Sequence, residues 1–145
     1  SSTTTASFVG TNFGYTVNGY TKIYAYQTRG NDTATLNGTN GSDKVSGNLA
    51  FTSISSGAFL QQVLGFTTVI VNAGSGTDTA TLNDSTGNDT LNALGNTAEL
   101  VFGSGRRIRL VAFDTVFARG FGGGTNRKNV TNPLAFQLAF SGTWI

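Results

Sequence analysis

The octapeptide Gly30-Asn31-Asp32-Thr33-Ala34-Thr35-Leu36-Asn37 returns, 46 residues further on, as Gly76-Thr77-Asp78-Thr79-Ala80-Thr81-Leu82-Asn83. In both copies Thr alternates with Ala and Leu, the period of a strand with one face buried. The Gly and Asp ahead of it are turn formers. The same spacing relates Gly19-Tyr20-Thr21-Lys22-Ile23-Tyr24 to Gly65-Phe66-Thr67-Thr68-Val69-Ile70, and Gly41-Ser42-Asp43-Lys44-Val45 to Gly87-Asn88-Asp89-Thr90-Leu91. A third copy opens at Ala112-Phe113-Asp114-Thr115-Val116-Phe117. Independent matches at one spacing identify a repeat architecture.

The repeats divide a single repetitive β domain, 1–145, into four parts: 1–18, the closing part of a repeat; 19–64, repeat one; 65–111, repeat two; and 112–145, the opening part of a third. Phe8, Val9, Tyr15, Val17 and Tyr20 fall where Val101, Phe102, Ile108, Leu110 and Phe113 fall in a later copy. Stacked head to tail, the two ends complete one unit, a heterologous contact that does not close and therefore makes a filament. The other reading makes the ends diverged capping repeats. Against caps stands the C-terminal run, in which Leu134, Phe136, Leu138 and Phe140 alternate with Ala135, Gln137 and Ala139 before Trp144-Ile145. That is a strand with a rich apolar face, and no charge follows Lys128.

No helix of useful length is expected. Strands are expected over 20–26, 33–36, 66–72, 99–102, 108–117 and 134–140, with Pro133 just ahead of the last. Turns are expected at Asn18-Gly19, Asn37-Gly38, Asn40-Gly41, Gly74-Ser75-Gly76, Gly103-Ser104-Gly105 and Gly122-Gly123-Gly124. The fold class is all-β: a repetitive, parallel β-helix-like solenoid with repeats of about 46 residues, each splitting into two rungs of about 23. Ile23, Val69 and Val116 would stack as one inward ladder, and Tyr20, Phe66 and Phe113 as another. An antiparallel β-sandwich, favoured by the Asn-Gly turns, is the alternative.

Composition narrows the function. Hydrophobic residues make up 38% of the chain and charged residues only 11%. The surface must therefore be dressed in Thr, Ser, Asn and Gly, as in secreted β proteins. A net charge of +2 and the short cluster Arg106, Arg107 and Arg109, read as a solvated edge, give no nucleic-acid footprint. The absence of Cys and His excludes a disulfide framework, Cys/His and Ser/His/Asp catalysis, and histidine metal sites. With no Met in the chain, Ser1 is expected to be a processed terminus, and the chain to act secreted, extracellular or at the cell surface. No stretch approaches the roughly 18 apolar residues of a membrane span.

Asp32, Asp43, Asp78, Asp84 and Asp89 lie in Gly- and Asn-rich turns and are candidate calcium ligands, since calcium wants six to eight oxygens. The alternative is that each carboxylate accepts hydrogen bonds from its own turn. Glu99 is the only Glu, so a glycosidase carboxylate pair has no distinctive second member. Tyr15, Tyr20, Tyr24, Tyr26 and Trp144 are either core or a stacking surface for cell-surface polysaccharide. Asn-x-Ser/Thr sequons occur at Asn31, Asn37, Asn40, Asn83, Asn88 and Asn129.

The repeat over Gly19–Asp43 and Gly65–Asp89, with a degraded copy from Phe113, resembles modules of very large secreted planctomycete surface proteins; Gly74–Ala80 more loosely resembles the nonapeptide of calcium-binding β-rolls. The resemblance implies secretion, a β-rich repeat fold and a structural or adhesive role at the cell surface, and it transfers no catalytic residue. The third copy departs from it, with Thr125-Asn126-Arg127-Lys128 in place of Asp-Thr-Ala-Thr, a change suited to a subunit interface where Arg127 or Lys128 meets acidic turns of a neighbour. The expected function is a non-enzymatic fibre subunit that polymerises head to tail through Phe8, Phe13, Tyr15, Val17, Arg127, Lys128, Leu134, Phe136, Leu138, Phe140 and Trp144. The alternative is a monomeric calcium- or glycan-binding adhesin module.

Overall fold

A computed structural model describes residues 5–10 and 13–145, Phe13 through its backbone alone; Ser1 lies outside them. Fifteen strands follow one another: β1 (Thr5–Gly10), β2 (Phe13–Asn18), β3 (Lys22–Tyr26), β4 (Thr33–Asn37), β5 (Lys44–Gly47), β6 (Phe51–Ser56), β7 (Phe59–Leu64), β8 (Thr68–Asn72), β9 (Thr79–Asn83), β10 (Thr90–Gly95), β11 (Thr97–Val101), β12 (Arg107–Val111), β13 (Thr115–Gly120), β14 (Arg127–Leu134) and β15 (Gln137–Gly142). They form an all-β solenoid of about three turns. Its first sheet runs β14-β10-β11-β12-β8-β4-β1-β2, and its second runs β15-β13-β9-β5-β6-β7-β3.

The repeated Thr-Ala-Thr-Leu-Asn shows why these segments are strands. In β4, Ala34 and Leu36 are buried and Thr33 and Thr35 half-buried; in β9, Ala80 and Leu82 take the same places. Small and branched apolar residues alternating with threonine suit a pleated, half-covered surface. The inward residues of both sheets, among them Leu36, Ile54, Val71, Leu82, Leu91, Leu100 and Leu110, make one core. Phe8 and Phe66 meet within it, their ring centroids 5.8 Å apart.

The strands fall into sets of five, β3–β7 and β8–β12. In each set the chain crosses to the other sheet after the first strand, returns after the second, and lays down the third, fourth and fifth as a meander. It then crosses again into the next set. Three crossings per set is an odd number, so each set exchanges the roles of the two sheets. This corrects the expected ladders. Ile23 and Val116 belong to the second sheet and Val69 to the first. Ile23 stands beside Gln61, Val69 between Ala34 and Ile108, and Val116 between Ala80 and Leu138. The expected 23-residue rungs do not run through the repeats, where parallel neighbours such as Thr33 and Thr68, or Thr79 and Thr115, lie 35 and 36 residues apart; a step of that size occurs at β13–β15, where Thr115 pairs with Gln137, 22 residues on.

The turns explain other departures. Asn37-Gly38 and Asn40-Gly41 do not make hairpins; they form the corner between β4 and β5, in opposite sheets. A Cβ on Gly38 would lie 1.8 Å from the Ala73 carbonyl oxygen of the stacked corner, so only glycine fits. The expected strand over 108–117 divides into β12 and β13 at Ala112, whose φ is 61°. Gly19 and Gly65 occupy the same turn in the earlier copies, with φ of 78° and 84°. The expected strand over 134–140 divides at 135–136 between β14 and β15, and Pro133, ahead of the last strand, β15, lies inside β14. There the register with β10 shifts, Leu94 facing Thr131 and Gly95 facing Leu134, and an edge bulge tolerates a residue that cannot donate.

Arg106 also differs from the solvated edge expected of it. Its guanidinium reaches back to the carbonyls of Phe66, at 3.0 Å, and Leu49, at 2.5 Å, and burial lowers its pKa from the ordinary arginine value. Arg107 and Arg109 are exposed. Among the described residues no helix is long and apolar enough to cross a membrane.

Candidate assembly surface

At the two ends of the solenoid several residues at core positions are less covered than their counterparts in the middle. At the first end, β1 and β2 occupy the places that β6 and β7 hold in the next set, with Gly10 facing Phe13 as Ser56 faces Phe59. Tyr15 corresponds to Gln61 and Ile108, and Tyr20 to Phe66 and Phe113. Tyr15 is 66% exposed and Tyr20 62%, whereas Gln61, Ile108, Phe66 and Phe113 are all buried. Val17 is half-buried where Val63 is fully buried. Phe8 is buried in the core, and Phe13 closes the hairpin through its backbone.

At the other end, β14 and β15 are edge strands of the two sheets. Leu138 and Phe140 face inward and are half-buried, whereas Leu91 and Ala93, at the same positions of β10, are buried. Leu134, the last residue of β14, and Phe136, in the two-residue link that follows, are half-buried. Trp144 is buried against Phe140, with 5.6 Å between centroids, and its indole N–H donates to the Ser141 carbonyl at 3.2 Å. Gly120 makes room, since a Cβ there would lie 2.7 Å from the indole nitrogen. Lys128 folds back within the chain, its Nζ donating to the Trp144 carbonyl at 3.4 Å and lying 5.4 Å from the Phe140 ring centroid. Arg127 is exposed at the start of β14.

The candidate interface residues thus gather at two separate ends: Phe8, Phe13, Tyr15 and Val17 at one, and Arg127, Lys128, Leu134, Phe136, Leu138, Phe140 and Trp144 at the other. Sequence reasoning passed over Tyr20 as a candidate interface residue. The signal for Tyr20 was the replacement, at one end only, of an otherwise repeated phenylalanine by a side chain with a polar tip.

The aspartates have a different task. Asp78 accepts the Asp43 N–H at 2.7 Å, and Asp114 accepts the Asp78 N–H at 2.6 Å, so carboxylates tie successive corners together. At the opposite corner the Asn126 side-chain oxygen accepts the Asp89 N–H at 3.1 Å. Asp43 accepts the Thr39 N–H; Asp89 accepts the N–H groups of Ser85 and Gly103; Asp84 accepts those of Phe121 and Gly122; and Asp32 accepts from the Gln27 amide. Burial pushes the carboxyl pKa of Asp43 above its ordinary value while bonds from Thr39 pull it down. For Asp78 burial again raises the pKa, the Asp43 N–H lowers it, and the charges of Asp43 and Asp114 raise it further. Asp32, Asp43, Asp78, Asp84 and Asp89 are not drawn into one calcium cage; among the described residues no group of three or more acidic side chains is placed to hold a metal.

Glu99 lies on the outer face of the first sheet with Asn92, Leu94, Thr97 and Arg109, around an open concavity of about 190 Å3. Comparison of the chain with known protein families, with curated proteins and with solved structures found no match.

Proposed function

We infer that the protein is a structural subunit of an extracellular fibre or surface appendage, built by head-to-tail stacking of identical chains. One observation carries the reading: Tyr15 and Tyr20 stand exposed at positions where the other copies of the repeat are buried. Covering the two rings would contribute on the order of 2 kcal/mol each from apolar area. The opposite end offers the complement: edge strand β15, with its inward Leu138 and Phe140 half-covered, and edge strand β14, with Val130 exposed. An end with a docking partner needs no polar cap. Composition and the resemblance of the repeat to secreted surface modules support the extracellular setting.

A second reading, an adhesin module that binds cell-surface polysaccharide, draws on Tyr24 and Tyr26, both exposed on the outer face of β3. Negative-stain electron microscopy with light scattering over a concentration series separates the two. The fibre reading expects filaments whose axial repeat matches one subunit. A monodisperse monomer at every concentration would discard it.

A further inference from the structure

The five-strand sets specify how two copies join. In each complete set the third strand and the first strand of the same sheet are separated by a hairpin, in the orders β5-β6-β7-β3 and β10-β11-β12-β8. In the last set the corresponding strands, β15 and β13, lie directly side by side, parallel, with Leu138 facing Val116 and Phe140 facing Ala118. At the other end the defect is reciprocal. A third strand lies between second and fourth strands in β9-β5-β6 and in β14-β10-β11, but β4 pairs directly with β1. Among the described residues no hairpin separates β15 from β13, whereas a hairpin of the β6–β7 kind, β1–β2, stands at the other end. Likewise no third strand separates β4 from β1, whereas the far end presents one, β15.

The geometry points to reciprocal strand interleaving between two copies of this chain. β15 of one copy enters between β4 and β1 of the next, and the β1–β2 hairpin of that next copy enters between β15 and β13. The joined sheet then reads β9-β13-β2-β1-β15-β4-β8, with β2, β1, β4 and β8 from the second copy. Every direction is compatible. β15 and β13 are parallel, as are β5 and β3 once the antiparallel steps of β5-β6-β7 and the parallel step to β3 are followed. Insertion asks β13 and β15 to separate by two further strand spacings, about 10 Å.

The internal registers carry over without conflict. Val45 faces Ile54 and Leu91 faces Leu100; Phe8, buried like Ile54 and Leu100, takes their place rather than the expected place of Val101, so both pairs put Leu138 opposite Phe8 and Ala139 opposite Ser7. Val45 beside Ala80 places Leu138 beside Ala34, and Gln61 beside Ile23 places Tyr15 beside Val116. On the opposite sheet β14 meets β3 of the next copy and covers the Tyr15 and Tyr20 face. In an unjoined chain the closed pairs β13–β15 and β1–β4 hide strand edges that would otherwise recruit any passing strand.

This inference rests on the fibre reading and is tested apart from it by two cysteine pairs in the full chain, which has no native cysteine. Directly paired residues on neighbouring strands lie at separations a disulfide spans. Ser7→Cys with Ala139→Cys is expected to give ladders of covalently linked chains from oxidised fibres. Phe117→Cys with Ala139→Cys, adjacent in the closed pair, is expected to lock β13 to β15 and abolish elongation until reductant is added. Fibres that form with the lock closed, or that give no 7–139 crosslink, overturn interleaving and leave the fibre reading standing. Absence of any oligomer of the unaltered chain overturns both.

Discussion

Removing the Asp78 carboxylate tests what the aspartate corners contribute. Asp78 is 1% exposed and holds the N–H of Asp43, itself fully buried. Asp78→Ala leaves that N–H without its acceptor in a water-poor corner, which costs about 1–3 kcal/mol. For a chain of this size that lowers Tm by about 2–4 °C per kcal/mol. Asp78→Asn keeps an acceptor oxygen of the same reach and removes a buried charge that Asp43 and Asp114 repel. Asn126 already performs this task beside Asp89.

The pH dependence follows from the direction of the shift. The folded-state pKa of Asp78 lies above 3.8, so the group's stabilising contribution is present below 3.8 and lost as pH rises through the raised folded value. At neutral pH the charge is a cost. D78N should therefore melt at or above the unaltered chain at neutral pH, and the gap should narrow on acidification toward pH about 4. Urea or thermal unfolding followed by circular dichroism at several pH values measures both effects. If D78N were as damaging as D78A, or D78A harmless, the corner bond would not be what stabilises the fold there.

Ala112 adopts a left-handed φ that costs a non-glycine residue roughly 1–2 kcal/mol, so Ala112→Gly should raise stability by up to about 1 kcal/mol after the entropy cost of glycine; a lower Tm would contradict that account. Gln61 is fully buried with its Oε1 unpartnered, and its Nε2 donates to the Thr5 carbonyl, which Asn37 also reaches. Gln61→Leu should accordingly be neutral or stabilising by about 1–2 kcal/mol in urea unfolding. Tyr20→Ser should weaken assembly measured by light scattering, because its ring is 62% exposed at a position where Phe66 and Phe113 are buried; assembly as strong as that of the unaltered chain would remove Tyr20 from the contact. The register of β4 with β8, Thr33 beside Thr68, carries over to Arg127 beside Lys22 of the next copy. Assembly should then quicken with added salt and with Arg127→Glu; an acidic partner for Arg127 would give the opposite result on both counts.

Much of the local structure was written in the residues. Thr-Ala-Thr-Leu-Asn has strand period and strand composition, and β4 and β9 lie where that motif lies. The turn residues around Asp43, Asp78 and Asp89 marked the corners, and the preference of Asx side chains for nearby N–H groups foretold part of their bonding. Other strands were hidden because their inward positions are poor in large apolar side chains. Gly47 in β5, Thr52 in β6 and Gln61 in β7 are all buried, yet none reads as core. Ala112 hid the break between β12 and β13, since only its backbone, not its side chain, takes the role of Gly19 and Gly65.

By itself, then, the sequence determined that the chain is a β repeat of about 46 residues, because period and turn chemistry are local properties that each segment carries with it. Which strands become neighbours was decided only in three dimensions. Apart from β13–β15, parallel pairing joins backbones 35 to 39 residues apart, and its choice depends on how often the chain changes sheet. Three crossings in each set of five strands send equivalent residues to opposite sheets. For the same reason Tyr20 and Phe66 read alike in sequence and differ in fate: the fold places another layer over one of them and leaves the other at an open end.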